Sequence, residues 1–244
     1  MPRGLDAYSF WARVVPVAVV FLPPLVLLGA GIVTGTDRLI ASGLVLTVAS
    51  AIAAQIGRDR GRRLQPGLWV CWGGSPTIRR LRYRDGDPGV VARLHRRVES
   101  VLGDALPSQE EEAADRAAAD SRYDETIRRL IGKTRDRKRF DLLFRENVNY
   151  GQRRNLLGLK PIGIVVAVAT GVVCVLLALT GSGGLEHEAG RYGPAFAVAC
   201  LELLFWLVVV KRDWVRVPAE AYADRLIEAV DVLATTAATS RDAT

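Results

Sequence analysis

The sequence predicts an all-α integral membrane protein, with four transmembrane helices arranged as two hairpins flanking a cytoplasmic helical domain. Three observations predict it. Apolar residues are gathered into four runs that contain no Lys or Arg, at 14–36, 39–57, 162–180 and 194–210. Charge is gathered between the second and third runs. Residues 58–160 hold 24 Lys and Arg against 15 Asp and Glu, an excess of nine where the whole chain's excess is only seven. Finally, basic residues flank one end of every run, the pattern set by the positive-inside rule. Half of the 244 residues are hydrophobic. That content alone fits a soluble domain as well as a small membrane protein, and the distribution decides between them.

Residues 1–57 read as an N-terminal transmembrane hairpin. Arg3 and Arg13, with Tyr8, Phe10 and Trp11, mark the first membrane interface. The first span, 14–36, is long enough to cross a bilayer. A signal peptide also begins basic and continues apolar, but this run is long, lacks an A-x-A site and is followed at once by a second span. Pro16, Pro23 and Pro24 predict a kink near Pro23, freeing the carbonyls of Val19 and Val20. A tight turn is expected at 35–38. The second span, 39–57, carries Gly43, Thr47 and Ala51 four apart, and the first carries Gly31 and Gly35 at the same interval. Small residues so spaced let helices approach closely.

Residues 58–160 read as a cytoplasmic basic helical domain. Trp69 and Trp72 precede a Gly73-Gly74-Ser75-Pro76 turn, with Ser75 as helix cap and Pro76 as first helical residue. Asp87-Pro88 opens a helix that Gly103 closes. Its apolar stripe is Val91, Leu94, Val98 and Val101, with Arg93, Arg96 and Arg97 largely off it. Ser108 to Glu111 matches a capping box, opening an acidic, Ala-rich helix that runs to about Leu130 and buries Tyr123, Ile127 and Leu130. Phe140, Leu143, Phe144 and Val148 give a further helix, and Tyr150-Gly151 and Gly158 are expected to break the chain before the third span. No segment alternates as a strand does.

Residues 161–212 read as a C-terminal transmembrane hairpin. Its spans are 162–180, with Gly163, Ala167 and Gly171 four apart, and 194–210, joined by a loop at 181–193. Arg58, Arg60, Arg62 and Arg63, then Arg153, Arg154 and Lys160, then Lys211, Arg212 and Arg216 all fall on one side. The expected location is therefore the inner membrane of a cell, multi-pass, with both termini cytoplasmic. Residues 213–244 read as a cytoplasmic amphipathic helix and tail. Pro218 suits its first position. Tyr222, Leu226, Ala229, Val230 and Leu233 form its apolar face, and Asp224, Glu228 and Asp231 an acidic face complementary to the basic domain. The polar end is expected to fray.

Chemical motifs are scarce. Cys71, Cys174 and Cys200 form no C-x-x-C, and His95 and His187 are far apart, so no metal site, disulfide framework or cofactor is expected. Gly132-Lys133-Thr134 is not a P-loop, because Ile127 stands where the first glycine belongs and no strand precedes it. Ser75 is not in a nucleophile elbow, since Thr77 replaces the second glycine. No catalytic residues are assigned, and a non-enzymatic protein is expected.

Three candidate sites remain. Lys133, Arg135, Arg137, Lys138 and Arg139 form the densest basic cluster, suited to phosphates or lipid headgroups, or else a solvated face near the membrane. Trp72 with Gly73 and Gly74 suits a ligand shelf or a membrane-interface rim. Glu202 lies in the middle of the fourth span, where an unpaired charge costs several kcal/mol. Facing Thr170, Thr47 or Ser50 on other helices, it suits an ion or proton path or a contact between subunits, or else a protonated side chain held in the bundle or a helix shifted so that it lies shallower.

The expected partners are the lipid bilayer, further copies of the chain, and a cytoplasmic protein or anionic small molecule. Aromatic residues are too sparse among the basic ones to favour nucleic acid. The layout of two hairpins around a soluble helical insert resembles that of four-span membrane effectors in bacterial defence systems; the likeness is of layout and carries no motif residue. It implies a membrane effector or sensor whose cytoplasmic domain binds a ligand or partner and alters the membrane helices. The alternatives are a small oligomeric transporter or channel using Glu202, and a membrane scaffold subunit.

Overall fold

The computed structural model describes the backbone of residues 7–32 and 36–242, and the side chains of 16–30, 44, 45 and 47–235. The expected interfacial residues at the amino terminus, the Gly31–Gly35 pair, Gly43 and the polar tail beyond 235 lie wholly or in their side chains outside them. Among the described residues the chain is all-helical, with no strand. The order is α1 (Ala7–Leu27), a π-turn (Leu28–Ile32), α2 (Thr36–Cys71), α3 (Pro76–Arg79), a 3-10 turn (Tyr83–Asp85), α4 (Pro88–Leu102), α5 (Gln109–Ala114), α6 (Arg116–Lys133), α7 (Asp141–Thr180), α8 (Leu185–Leu204), a second π-turn (Phe205–Val209) and α9 (Arg212–Asp242).

The helices gather into two compact units, one of residues 1–65 and 151–215, the other of 66–150 and 216–244. Both are discontinuous in sequence, because α2, α7 and α9 each contribute residues to both. Two helical stretches are long and apolar enough to cross a membrane, Asp141–Thr180 and Leu185–Val209, and Pro16–Ala30 is a shorter apolar helix. The first two expected spans fall only in part on described residues.

The first unit packs Val17, Val20, Ala53, Leu156, Leu159, Trp206 and Val210 into one core. Leu27, Cys174, Tyr192 and Ala195 form a second cluster. Glycine sets the closest approach. A Cβ on Gly158 of α7 would lie 2.7 Å from the Gly61 nitrogen and 2.8 Å from the Gly57 oxygen, both on the α2 backbone. This corrects the expected break at Tyr150-Gly151 and Gly158. Helix α7 runs unbroken through all three and through Pro161, because Gly158 is used for helix contact rather than for its flexibility. Outside the core, Val165, Val168, Val172, Leu176 and Leu179 of α7 and Leu44, Val45, Val48 and Ile52 of α2 are exposed.

Two further boundaries differ. Helix α8 begins at Leu185 rather than Pro194, so Glu186 and Glu188 sit in its first turn, where a carboxylate favours the helix dipole. Helix α9 begins at Arg212, so Pro218 lies inside it. Proline cannot donate to the carbonyl four residues back. That carbonyl, on Trp214, instead accepts from Arg153 Nη1 at 2.9 Å, and the same guanidinium lies 4.8 Å from the Trp214 ring. The Val210 carbonyl, at the end of the second π-turn, accepts from Lys160 Nζ at 2.9 Å. Basic residues that mark topology in the sequence thus also satisfy orphaned backbone groups.

The second unit buries Leu81, Leu94, Val98, Tyr123, Ile127, Leu130, Phe140 and Leu143 against Leu226, Ala229 and Val230 of α9. The caps of α4 and α5 are as read. Asp87 accepts from the Val90 nitrogen, Gly103 closes α4 at φ 85°, and Ser108 and Glu111 form the capping box. The single acidic helix expected to Leu130 is two helices. Asp115 is extended (φ −143°) and its side chain caps α6 by accepting from the nitrogens of Ala117 and Ala118. The acidic side of α9 is paired. Glu220 bonds Arg79 and Arg80, Asp224 bonds Arg80, and Asp231 bonds Arg97.

Candidate functional site

The Gly73-Gly74 turn needs glycine twice, at φ 81° and 131°. Arg82 closes over it. Its Nη1 donates to the Gly73 carbonyl at 2.7 Å, and a Cβ on Gly74 would lie 2.6 Å from that same nitrogen. Trp72 is buried beneath. The space that the sequence suggests as a ligand shelf is thus filled by the chain's own guanidinium. Ser75 stands at the predicted cap position, but its hydroxyl meets that of Thr77 at 3.0 Å rather than capping the backbone.

Arg82 also begins a buried polar network that no local motif announces. Its Nε and Nη2 donate to the two Asp120 oxygens, each at 2.8 Å, a bidentate pair. Glu112, only 2 % exposed, accepts from the Tyr83 nitrogen at 2.8 Å, the Tyr123 hydroxyl at 2.9 Å and Arg84 Nη1 at 2.9 Å. Burial pushes the Glu112 carboxyl up, but these donors together hold it below the usual glutamate range. Burial and the bond to Glu112 push the Tyr123 phenol up. His95 is buried with Nε2 on the Leu81 carbonyl at 2.7 Å, so that nitrogen carries the proton and donates. Burial holds the His95 imidazole below its usual range. Glutamate, tyrosine and histidine stand together here, yet Tyr123 is committed to Glu112 and His95 Nε2 to the Leu81 carbonyl.

The 133–139 cluster follows α6 as an exposed turn. Arg137 lies 4.6 Å from the Phe144 ring, and Arg139 lies 5.3 Å from the Phe140 ring. Arg139 Nη2 donates to the Val232 carbonyl of α9 at 2.8 Å. Asp136 within the turn accepts from the backbone nitrogens of Lys138 and Arg139. The structure therefore divides the five candidates. Arg137 and Arg139 dock on neighbouring side chains and helix, while Lys133, Arg135 and Lys138 are the outward-facing members.

A second basic group was missed in the sequence. Arg93, Arg96, Arg97 and Ser100 of α4 line an open cavity of about 480 Å³. Arg97 is fixed to both oxygens of Asp231, at 2.7 and 3.0 Å. The next α9 residue, Val232, takes Arg139, so basic residues from α4 and from the 133–139 turn meet at one step of α9. The available signal was the spacing of Arg93, Arg97 and Ser100, one row opposite the apolar stripe.

Glu202 lies in α8 of the first unit and is 6 % exposed. Its Oε1 accepts from Trp206 Nε1, one turn onward, at 2.7 Å. That partner replaces the expected Thr170, Thr47 or Ser50. Among the described residues no donor reaches Oε2. Trp206 is fully buried, and a Cβ on Gly163 would overlap its indole. The second π-turn begins just beyond Glu202, at Phe205. Such turns widen a helix locally and recur at functional sites. Here the turn coincides with the place where Glu202, Trp206 and Gly163 meet. Compared with known proteins, the chain matches no family model, no curated protein and no solved structure.

Proposed function

We propose that the chain is a four-span, non-enzymatic membrane effector or sensor, in which ligand or partner binding to the second unit alters the membrane helices. The observation that carries this reading is α7. It is one unbroken helix whose residues 141–150 belong to the second unit and whose residues 151–180 belong to the first. A continuous helix passes rotation and translation along its axis, whereas a flexible linker absorbs them. The exposed aliphatic rows on α2 and α7 support a lipid environment for the first unit. The excess of basic residues on one side supports a cytoplasmic second unit.

The test is depolarisation of a bacterial host that expresses the full chain, read with a potential-sensitive dye. Wild type is expected to depolarise the membrane. A Gly-Gly insertion after Val148 is expected to abolish the effect while leaving the protein in the membrane. Glu202→Gln keeps an acceptor for Trp206 and is expected to behave as wild type. An unchanged potential with wild type would remove the effector reading. Loss with Glu202→Gln alone would instead favour an ion path through that residue.

A further inference from the structure

We infer that the α4 face lined by Arg93, Arg96, Arg97 and Ser100 is a binding site for a phosphate group. The inference deepens the proposed function and rests on it for its biological role. Most arginines of the second unit have a carboxylate within reach. Arg79, Arg80, Arg82, Arg84, Arg122, Arg128, Arg129, Arg145 and Arg225 each form an ion pair. Arg93 and Arg96, like Arg116 and Arg135, form none among the described residues, and Arg93 and Arg96 share one helix face with a third arginine. Like charges at i,i+3 and i,i+4 cost a helix a few tenths of a kcal/mol per pair, and an anion seated among them removes that cost.

The geometry suits phosphate more than an extended acidic peptide. Guanidinium forks bind compact tetrahedral oxyanions in bidentate fashion. Asp231 pairs with Arg97 Nη1 at one rim, so Arg93 and Arg96 are the main donors for the anion. Ser100 Oγ donates to the Arg97 carbonyl, so it shapes the wall and leaves the arginines as the donors. Val90, one turn before Arg93, is half exposed and offers an apolar edge for whatever carries the phosphate. The concavity is open to solvent and lined by one exposed helix face, so it suits a small, highly charged group more than an enclosed ligand. A free polyphosphate, a nucleotide and an anionic lipid headgroup share this chemistry.

The experiment is titration of the full chain, in nanodiscs of zwitterionic lipid, with inorganic tripolyphosphate. Wild type is expected to bind, with affinity that falls as salt rises. Arg93→Ser with Arg96→Ser is expected to weaken binding about tenfold or more, the loss of two charged donors. Lys133→Ser with Arg135→Ser and Lys138→Ser is expected to leave it unchanged. Phosphatidylglycerol in the same disc separates the sources: competition with tripolyphosphate assigns the site to a headgroup, and no competition assigns it to a free phosphate. No binding by wild type, or equal binding by the Arg93/Arg96 variant, would overturn the site. Tripolyphosphate binding by a chain that fails to depolarise cells would keep the site and remove the effector reading, so the two can fail separately.

Discussion

Gly158→Leu is expected to unfold the first unit. The Cβ position at Gly158 is met by backbone from two glycines of α2, Gly57 and Gly61, and backbone cannot swing aside as a side chain does. Even the alanine methyl would push α2 and α7 apart. Alanine gains about 1 kcal/mol of helix propensity over glycine, and overpacking a tight contact costs about 1–3 kcal/mol, so the clash prevails. Leucine adds three more carbons to the same gap. The neighbouring contacts fail with it, because Leu159 packs on Gly57 and Asn155 on Gly61. Thermal unfolding in detergent is the measurement. A wild-type midpoint for Gly158→Leu would mean that the two helices do not meet at these glycines. Gly132→Ala in α6 is the matched control. Nothing lies within 4 Å of its Cβ position, and it is expected to be neutral or stabilising by up to about 1 kcal/mol.

Glu112→Ala is expected to cost the second unit about 3–5 kcal/mol, the range for breaking a buried ion pair from one side. It strands the Tyr123 hydroxyl in the core and leaves the Arg84 guanidinium with Asp120 alone. It also frees the backbone nitrogen of Tyr83. The same network sets the response to acid. Glu112 titrates lower folded than unfolded, so its stabilisation is present above the pKa of a free glutamate, about 4.3, and is lost as pH falls through the folded value. His95 is also depressed, by burial beside the Tyr83 and Tyr123 rings, against the opposing pull of Glu99, Glu112 and the Leu81 and Pro107 backbone. Its stabilisation is full above about 6.5 and declines below it. Stability of the second unit is therefore expected to fall in two stages on acidification. His95→Gln, which keeps a donor for the Leu81 carbonyl, removes the upper stage. Stability that rises between pH 7 and pH 5 would contradict this.

What the sequence made legible was local. The caps at Asp87 and Ser108, the left-handed Gly103 and the apolar face of α9 all follow from spacings of three to seven residues. What it hid depended on a second element. Gly158 reads as a breaker until the α2 backbone is placed beside it. Pro218 reads as a helix start until Arg153 is seen to satisfy the carbonyl that it orphans. Gly73-Gly74 reads as an open turn until Arg82, nine residues on, covers it. The Glu202–Trp206 pair, four residues apart, was within reach of a one-turn rule, whereas the expected Thr170, Thr47 and Ser50 belong to other helices.

The central claim is a membrane protein with four spans and a cytoplasmic second unit, and thiol accessibility tests it most directly. In a chain with Cys71, Cys174 and Cys200 replaced by serine, single cysteines are introduced as Thr34→Cys, Glu125→Cys and Glu186→Cys. A membrane-impermeant maleimide is then applied to intact and to permeabilised cells. Thr34→Cys, at the end of the first predicted span beside the turn expected at 35–38, and Glu186→Cys, at the start of α8, are expected to label in intact cells. Glu125→Cys, exposed on α6 of the second unit, is expected to label only after permeabilisation. Labelling of Glu125→Cys from outside, or protection of Thr34→Cys and Glu186→Cys in intact cells, would contradict the four-span topology and the coupling built on it.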